Sequence, residues 1–147
     1  MALSKDFREF IELLNLNRVK YLVVGGYALA YHGFPRYTKD IDIWIMISRE
    51  NANALIKTLI SFGFESPQLT HKDFLKKGYI IQLGYPPNRI DIMTSCDGVT
   101  FNTCYKNKVT AKIDGLIIYF ISIRDLKKNK KVSGRLQDLA DLEKLKK

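Results

Sequence analysis

Three aspartates occur in sequence contexts that allow their carboxylates to hold a cation. Asp40 and Asp42 are separated by one residue in the segment Asp-Ile-Asp-Ile-Trp-Ile, and Asp91 lies in the similar segment Arg-Ile-Asp-Ile. Residues i and i+2 of a β-strand project from the same face, so the first two carboxylates leave the strand together. Two adjacent negative charges repel each other, and a hard divalent cation such as Mg²⁺ or Mn²⁺ between them removes that repulsion.

The alternative for Asp40 and Asp42 is a strand that merely points two carboxylates at water. Asp91 favours a site, because three carboxylates would converge on one spot if the two strands were neighbours. Three carboxylates are enough for a two-metal centre that holds the attacking and leaving oxygens of a phosphoryl or nucleotidyl transfer. Asp97 and Asp114 each precede a glycine, which is typical of turn residues rather than ligands.

A pair of glycines, Gly25-Gly26, lies between the apolar segment Tyr21–Val24 and the first aspartates. Backbone without Cβ atoms at the start of a helix allows a phosphate to approach closely. The pair alone is also compatible with a simple tight turn. It is not a Walker loop, since no Gly-Lys-Ser/Thr follows.

The elements that must position these residues are those of a mixed α/β (α+β) domain spanning residues 1–147. Helices are expected from Ser4 to about Arg18, over Tyr27–Tyr31, after Ser48, near Lys72–Lys76 and twice after Ser122, with a break at Gly134. A sheet of about five strands is expected between them, with the C-terminal helical segment 122–147 packing on the core. The strand-like segments are Tyr21–Val24, Asp40–Met46, Tyr79–Leu83, Arg89–Met93, Val109–Ile113 and Leu116–Ile121, the last two joined by a hairpin turn at Asp114-Gly115.

The composition and net charge of the chain indicate which kinds of partner it could bind. The chain has 147 residues, with 24 Lys and Arg against 15 Asp and Glu and a net charge of +9. A basic balance favours polyanionic partners such as RNA or nucleotide phosphates, although solubility alone would also account for it. No signal segment or membrane span is apparent, and the two cysteines do not form a disulfide scaffold or a zinc site, so a cytoplasmic protein is expected.

The stretch from Val23 to Ile45 resembles the signature of the DNA polymerase β-like nucleotidyltransferase superfamily. In that signature an apolar residue and two small residues precede an Asp-x-Asp pair by roughly ten to thirteen residues, and a later strand supplies a third carboxylate. Within that superfamily the chain more closely resembles the small bacterial and archaeal nucleotidyltransferases that include toxins of toxin–antitoxin and abortive-infection systems. Their C-terminal pattern of a lysine-bearing helix followed by Gly-Arg and Asp resembles Asp125–Lys130 and Ser133–Asp141.

The resemblance implies a nucleotidyltransferase fold and assigns roles to the acidic residues and the glycines. Asp40 and Asp42 would bind both metal ions, and Asp91 would complete the metal site that activates the acceptor hydroxyl. Gly25 and Gly26 would hold the triphosphate of a nucleoside triphosphate (NTP).

The resemblance also assigns cationic residues to the nucleotide. Lys130 and Arg135 would neutralise the charge of the triphosphate from the C-terminal helices. Arg36 and Lys39 flank the aspartates and are further candidates for phosphate contacts. Asp138 would orient Lys130 or Arg135, although a solvated helix position explains it equally well.

The expected activity is metal-dependent transfer of a nucleoside monophosphate from an NTP to an acceptor hydroxyl. The basic charge favours an RNA acceptor such as a tRNA 3′ end, followed by a protein hydroxyl and then by a small molecule. The resemblance raises a toxin–antitoxin component with an antitoxin partner as a further possibility. The competing hypothesis is a non-catalytic basic module on the same fold that binds nucleic acid or a protein.

Overall fold

A mixed sheet of six strands forms the centre of the protein in a computed structural model, which describes residues 3–35, 38, 40–64 and 69–145. The expected mixed α/β architecture is confirmed, with one strand more than the approximate count. The strands are β1 Tyr21–Val24, β2 Asp40–Ile45, β3 Ile80–Leu83, β4 Arg89–Met93, β5 Val109–Ile113 and β6 Leu116–Phe120.

The strands lie in the order β3-β4-β2-β1-β6-β5. β2 pairs with β4 and β1 pairs with β6 in parallel, whereas the other neighbours are antiparallel. The predicted hairpin at Asp114-Gly115 is confirmed: it joins β5 to β6, and both residues have positive φ, 50° and 83°. Positive φ at two central residues is what a two-residue hairpin turn requires.

Serine residues begin three of the helices, as their positions in the sequence predict. The Ser4, Ser48 and Ser122 hydroxyls each accept a hydrogen bond from a backbone N–H in the first turn of the helix that follows, which satisfies a donor without an intrahelical partner. The helices are α1 Lys5–Leu16, α2 Gly25–Tyr31, α3 Arg49–Phe62, α4 Phe101–Lys106, α5 Ile123–Ser133 and α6 Leu136–Leu145, with a 3-10 helix at His71–Leu75.

The two faces of the sheet differ because side chains alternate along each strand. Ile41, Ile43 and Ile45 are fully buried on one face, which α1 covers, since the Tyr21 hydroxyl on that face donates to Asn15 of α1 at 2.9 Å. The opposite face carries Asp40, Asp42 and Trp44.

Helices α4, α5 and α6 are associated with this aspartate-bearing face, whereas Tyr31 of α2 stacks on Phe120 on the face that α1 covers. The ring of Trp44 contacts Phe101 of α4 edge-on, with centroids 5.2 Å apart, and α5 contacts both α2 and α6. The C-terminal helices therefore lie beside the predicted site. No helix within the described ranges has the length and apolar character needed to cross a membrane.

Candidate active site

The pairing of β2 with β4 brings the three predicted aspartates together. The strands are parallel and in a register that places Asp42 opposite Asp91 and Asp40 opposite Arg89. Residues opposite each other in a sheet project from the same face, so all three carboxylates meet on one side. One oxygen from each of Asp40, Asp42 and Asp91 lies within 4.8 Å of the other two. This spacing suits a hard divalent cation such as Mg²⁺, whose ligands are oxygen atoms, carboxylate oxygens among them.

Arg89 lies within this acidic cluster. Its Nε donates to Asp91 Oδ1 at 2.9 Å and its Nη2 to Asp91 Oδ2 at 3.1 Å. The same Nη2 donates to Asp40 Oδ2 in a short contact. The planar guanidinium suits such a two-pronged contact with a carboxylate, and its charge offsets part of the repulsion within the cluster.

The carboxyl groups of Asp42 and Asp91 have pKa values above the ordinary value for aspartate. Burial, together with the neighbouring charges of Asp40 and Asp91, raises the pKa of Asp42 to about 7. Burial also raises the pKa of Asp91, while its hydrogen bonds from Arg89 oppose that rise. A cluster that is costly to ionise has much to gain from a bound cation, because the cation stabilises the charged form.

Gly25 touches the cluster from the end of β1. Its φ is +66°, and a Cβ atom at this position would overlap Oδ2 of Asp42. The first of the two predicted glycines is therefore required both by its backbone conformation and by the close approach of Asp42. Gly26 is buried within α2.

Arg135 lies between α5 and α6, directly before the first residue of α6, and close to the acidic cluster. Its Nε donates to Asp138 Oδ2 at 2.7 Å, and its side chain is 80% exposed. Arg135 is close enough to Asp42 for its charge to act against the rise in the pKa of that carboxyl. It is therefore a cation near the carboxylates that a phosphate can reach from solvent.

Lys130, predicted to contact the triphosphate, is buried between α5 and α6 and does not face solvent. Its side chain is 3% exposed, and its ammonium lies 2.8 Å from Asp141 Oδ2 and 3.4 Å from Asp138 Oδ1. The lysine thus ties α5 to α6 through buried ion pairs, and Asp138 contacts both Lys130 and Arg135. Contact between Lys130 and a phosphate would require these buried pairs to break.

Three further basic residues bear on the site: Arg36 and Lys39, which the sequence predicts as phosphate ligands, and Arg89, which it does not. Arg36 and Lys39 lie outside the described residues. Arg89, to which the sequence assigns no role, contacts two of the three carboxylates. The signal was its i, i+2 relation to Asp91, which places both side chains on one face of β4.

Comparison with known proteins is consistent with this geometry. Residues 2–146 match a family described as "Nucleotidyltransferase of unknown function (DUF6036)". The chain belongs to this nucleotidyltransferase family. No curated protein matches the chain.

A solved structure shares the fold of this family member. It is the 1.87 Å crystal structure of a candidate nucleotidyltransferase, TM1012, from Thermotoga maritima. The two chains are 20% identical, the match covers 94% of this chain and 88% of the other, and the TM-score is 0.64. The nucleotidyltransferase fold expected from the sequence is thereby confirmed.

Proposed function

We propose that this protein transfers a nucleoside monophosphate from an NTP to an acceptor hydroxyl and releases pyrophosphate, with Mg²⁺ or Mn²⁺ as the metal. The observation that carries the proposal is the convergence of Asp40, Asp42 and Asp91 within 4.8 Å, next to Gly25. Membership of a nucleotidyltransferase family supports the reaction class.

The donor set fits a divalent cation, because it consists of hard carboxylate oxygens that repel one another without one. Asp40 and Asp42 would hold both ions of a two-metal centre, and Asp91 would complete the site on the acceptor side. When bound, the ions would favour ionisation of the acceptor hydroxyl and stabilise the charge on the leaving pyrophosphate. The carboxylates fix the positions of the reacting groups, and positioning with charge neutralisation accounts for most of catalysis in this type of reaction.

The triphosphate is assigned to the side of the cluster where β1 ends. Gly25 and Gly26 begin α2 and would hold the triphosphate through backbone N–H groups, and Arg135 contributes an exposed positive charge nearby. Arg36 and Lys39 remain candidate phosphate ligands. Lys130, held between Asp138 and Asp141, is assigned to the support of Arg135 through their shared partner Asp138.

RNA is the proposed acceptor, for instance a tRNA 3′ end, with a protein hydroxyl as the next choice. The net charge of +9 supports a polyanion, and the affinity should fall steeply as salt is added. An antitoxin partner and a role in a toxin–antitoxin system belong to the same proposal and rest on the sequence resemblance alone.

The test is transfer of label from an α-³²P NTP to total cellular RNA in the presence of Mg²⁺. Asp40→Asn and Asp42→Asn should each abolish transfer while the protein stays folded, because these carboxylates bind metal and do not hold the core. Asp114→Asn, in the β5–β6 hairpin, is the matched control and should transfer at the wild-type rate. Wild-type rates in both site variants would refute the assignment.

A thermal-shift measurement separates this enzyme from a non-catalytic binding module. Mg²⁺ and NTP together should raise the midpoint of unfolding by more than either alone, since ligands that bind only the folded state stabilise it. A binding module would respond to nucleic acid and not to the metal.

A further inference from the structure

Strand β3 is open to solvent on the aspartate-bearing face of the sheet. Gln82 of β3 lies opposite Asp91 of β4, and Ile80 lies opposite Met93 in the same antiparallel pairing. Directly opposite residues project from the same face, so Gln82 and Ile80 share the face of the carboxylates. Gln82 is exposed and Ile80 is 59% exposed, whereas Leu83, on the other face of β3, is buried. The edge of the sheet next to Asp91 therefore offers an accessible surface.

The turn that joins β3 to β4 adds an exposed aromatic side chain close to the acidic cluster. Tyr85 lies in this turn and is 87% exposed. The backbone N–H of Asn88 donates to the carbonyl oxygen of Tyr85 at 3.0 Å, which closes the turn directly before Arg89. Arg89 contacts Asp40 and Asp91, so the turn with Tyr85 lies at the end of the strands where the cluster is found.

The opposite end of β3 is preceded by positive charge. Lys76 and Lys77 are both exposed, and they lie beyond Ile80 on the side away from the cluster. Exposed aromatic side chains beside positive charge are the combination with which proteins bind single-stranded nucleic acid, because bases stack on the rings and phosphates attract the cations. We name this set of residues the β3 surface: Lys76, Lys77, Ile80, Gln82 and Tyr85.

We propose that the β3 surface binds the single-stranded 3′ end of the RNA acceptor, an inference that rests on the proposed nucleotidyl transfer to RNA. Tyr85 stacks on an unpaired base close to the 3′ end, and Gln82 hydrogen-bonds to a nucleoside beside Asp91. Lys76 and Lys77 contact phosphates further from the 3′ end. A single strand suits this surface because its unstacked bases are free to stack and to form hydrogen bonds.

The order of the strands assigns the β3 surface to the acceptor rather than to the NTP. Gln82 lies on one side of Asp91 across the sheet, whereas Asp42 on β2 and Gly25 after β1 lie on the other side. The triphosphate is assigned to Gly25, and Asp91 is the carboxylate proposed for the acceptor side. The β carbons of directly opposite residues are about 5 Å apart. A nucleoside bound at Gln82 is therefore adjacent to the carboxylate that would serve its hydroxyl.

The test measures the binding of adenosine RNA hexanucleotides that carry fluorescein at the 5′ end, by fluorescence anisotropy in EDTA so that no metal is bound. Adenosine suffices because stacking on aromatic side chains tolerates every base. One oligomer carries all its bases, a second lacks the last two bases at the 3′ end, and a third lacks the first two at the 5′ end. The wild-type protein should bind the 3′-abasic oligomer more weakly than the other two.

Tyr85→Ala should weaken binding of the complete oligomer at least about fivefold, the lower end of what one base–aromatic stack contributes. It should also remove the difference between the complete and 3′-abasic oligomers. Tyr85→Phe keeps the ring and should restore both. Leu16→Ala is the matched control, because it truncates a side chain that is 76% exposed on α1, which covers the other face of the sheet. It should bind as the wild type does.

Two polar variants test the remaining contacts. Gln82→Ala should weaken binding of the complete oligomer about two- to tenfold, the range for a hydrogen bond between neutral groups. Lys77→Gln should reduce the slope of log affinity against log salt by about 0.7, the value for one phosphate contact on a single strand. Lys112→Gln makes the same change of charge on β5, at the opposite edge of the sheet, and should leave the slope unchanged.

Unchanged affinity in either Tyr85→Ala or Gln82→Ala would overturn the proposal, and so would equal weakening by the 3′-abasic and 5′-abasic oligomers. The absence of binding to any oligomer would overturn it as well, and would favour a protein hydroxyl as the acceptor. Asp42→Asn, expected to be inactive in transfer, should bind the oligomers in EDTA at least as tightly as the wild type. Loss of the proposed activity and loss of this binding surface are therefore distinguishable.

Discussion

The substitution Gly25→Ala tests the packing of the glycine turn against the carboxylates. Gly25 has φ +66°, and an added Cβ would overlap Oδ2 of Asp42. Left-handed backbone costs an L-residue with a side chain about 1–2 kcal/mol. Overpacking against a neighbour that must move costs about 1–3 kcal/mol more. Gly25→Ala should thus lower the free energy of unfolding by about 2–5 kcal/mol, the sum of these two ranges.

Gly115→Ala is the matched control, because its φ is +83° and nothing lies within 4 Å of its added Cβ. It should bear only the backbone cost of about 1–2 kcal/mol. Urea unfolding measured by the fluorescence of Trp44 gives both values. The difference between the two variants isolates the contact with Asp42.

The affinity for Mn²⁺ is a second measurement that should distinguish Gly25→Ala from Gly115→Ala. A Cβ at position 25 must displace the carboxylate of Asp42, and a metal site tolerates ligand shifts of only about 0.5 Å. Mn²⁺ affinity measured by calorimetry should therefore fall at least about tenfold in Gly25→Ala and stay unchanged in Gly115→Ala. Equal stability and equal Mn²⁺ affinity in the two variants would refute the packing argument.

Three further predictions concern the charged groups. The metal-free protein should lose stability as the pH rises from about 4 to about 7, on the order of 4 kcal/mol from Asp42 alone, because over this range folded Asp42 keeps a proton that the unfolded chain has already released. Denaturant unfolding at several pH values measures this decrease in the free energy of unfolding. An equal decrease in Asp42→Asn would contradict its assignment to Asp42. Lys130→Met should lower the free energy of unfolding, by at most about 3–5 kcal/mol, since it removes the buried ammonium that Asp138 and Asp141 share while Asp138 keeps its contact with Arg135. A change below about 1 kcal/mol in urea unfolding would show that the lysine is dispensable for stability. Arg89→Met should lower the midpoint of urea unfolding of the metal-free protein and tighten Mn²⁺ binding, because it removes the guanidinium that offsets the charges of Asp40 and Asp91 and competes with the metal for them. Weaker Mn²⁺ binding would instead make Arg89 a support of the metal site.

Much of the local structure could be predicted from short-range patterns. Serine caps, apolar periodicity and the Asp114-Gly115 turn correctly indicated α1, α3, α5 and the β5–β6 hairpin. These features depend on residues within a few positions of one another, so their physical causes are visible in the sequence. Helix α4, Phe101–Lys106, was not predicted, since it spans six residues and has no serine cap.

The common face of Asp40 and Asp42 was likewise determined by the sequence, because i and i+2 project together from any strand. The adjacency of β2 and β4 was not, since 43 residues and one other strand separate the end of β2 from the start of β4. Whether Asp91 met the other carboxylates therefore depended on the order of the strands, which packing of the whole chain selects.

Only the tertiary structure decided which ion pairs form within and beside the acidic cluster. Arg89 reaches Asp40 only because β2 and β4 pair in a register that places the two residues opposite each other. Lys130 is buried against Asp141 because the chain reverses at Gly134 and packs α6 against α5. In the sequence, Lys130 cannot be distinguished from the other lysines around it. The chemistry of a side chain and the face of a strand from which it projects follow from the local sequence. The ion-pair partner of each charged residue depends on which distant segments pack together.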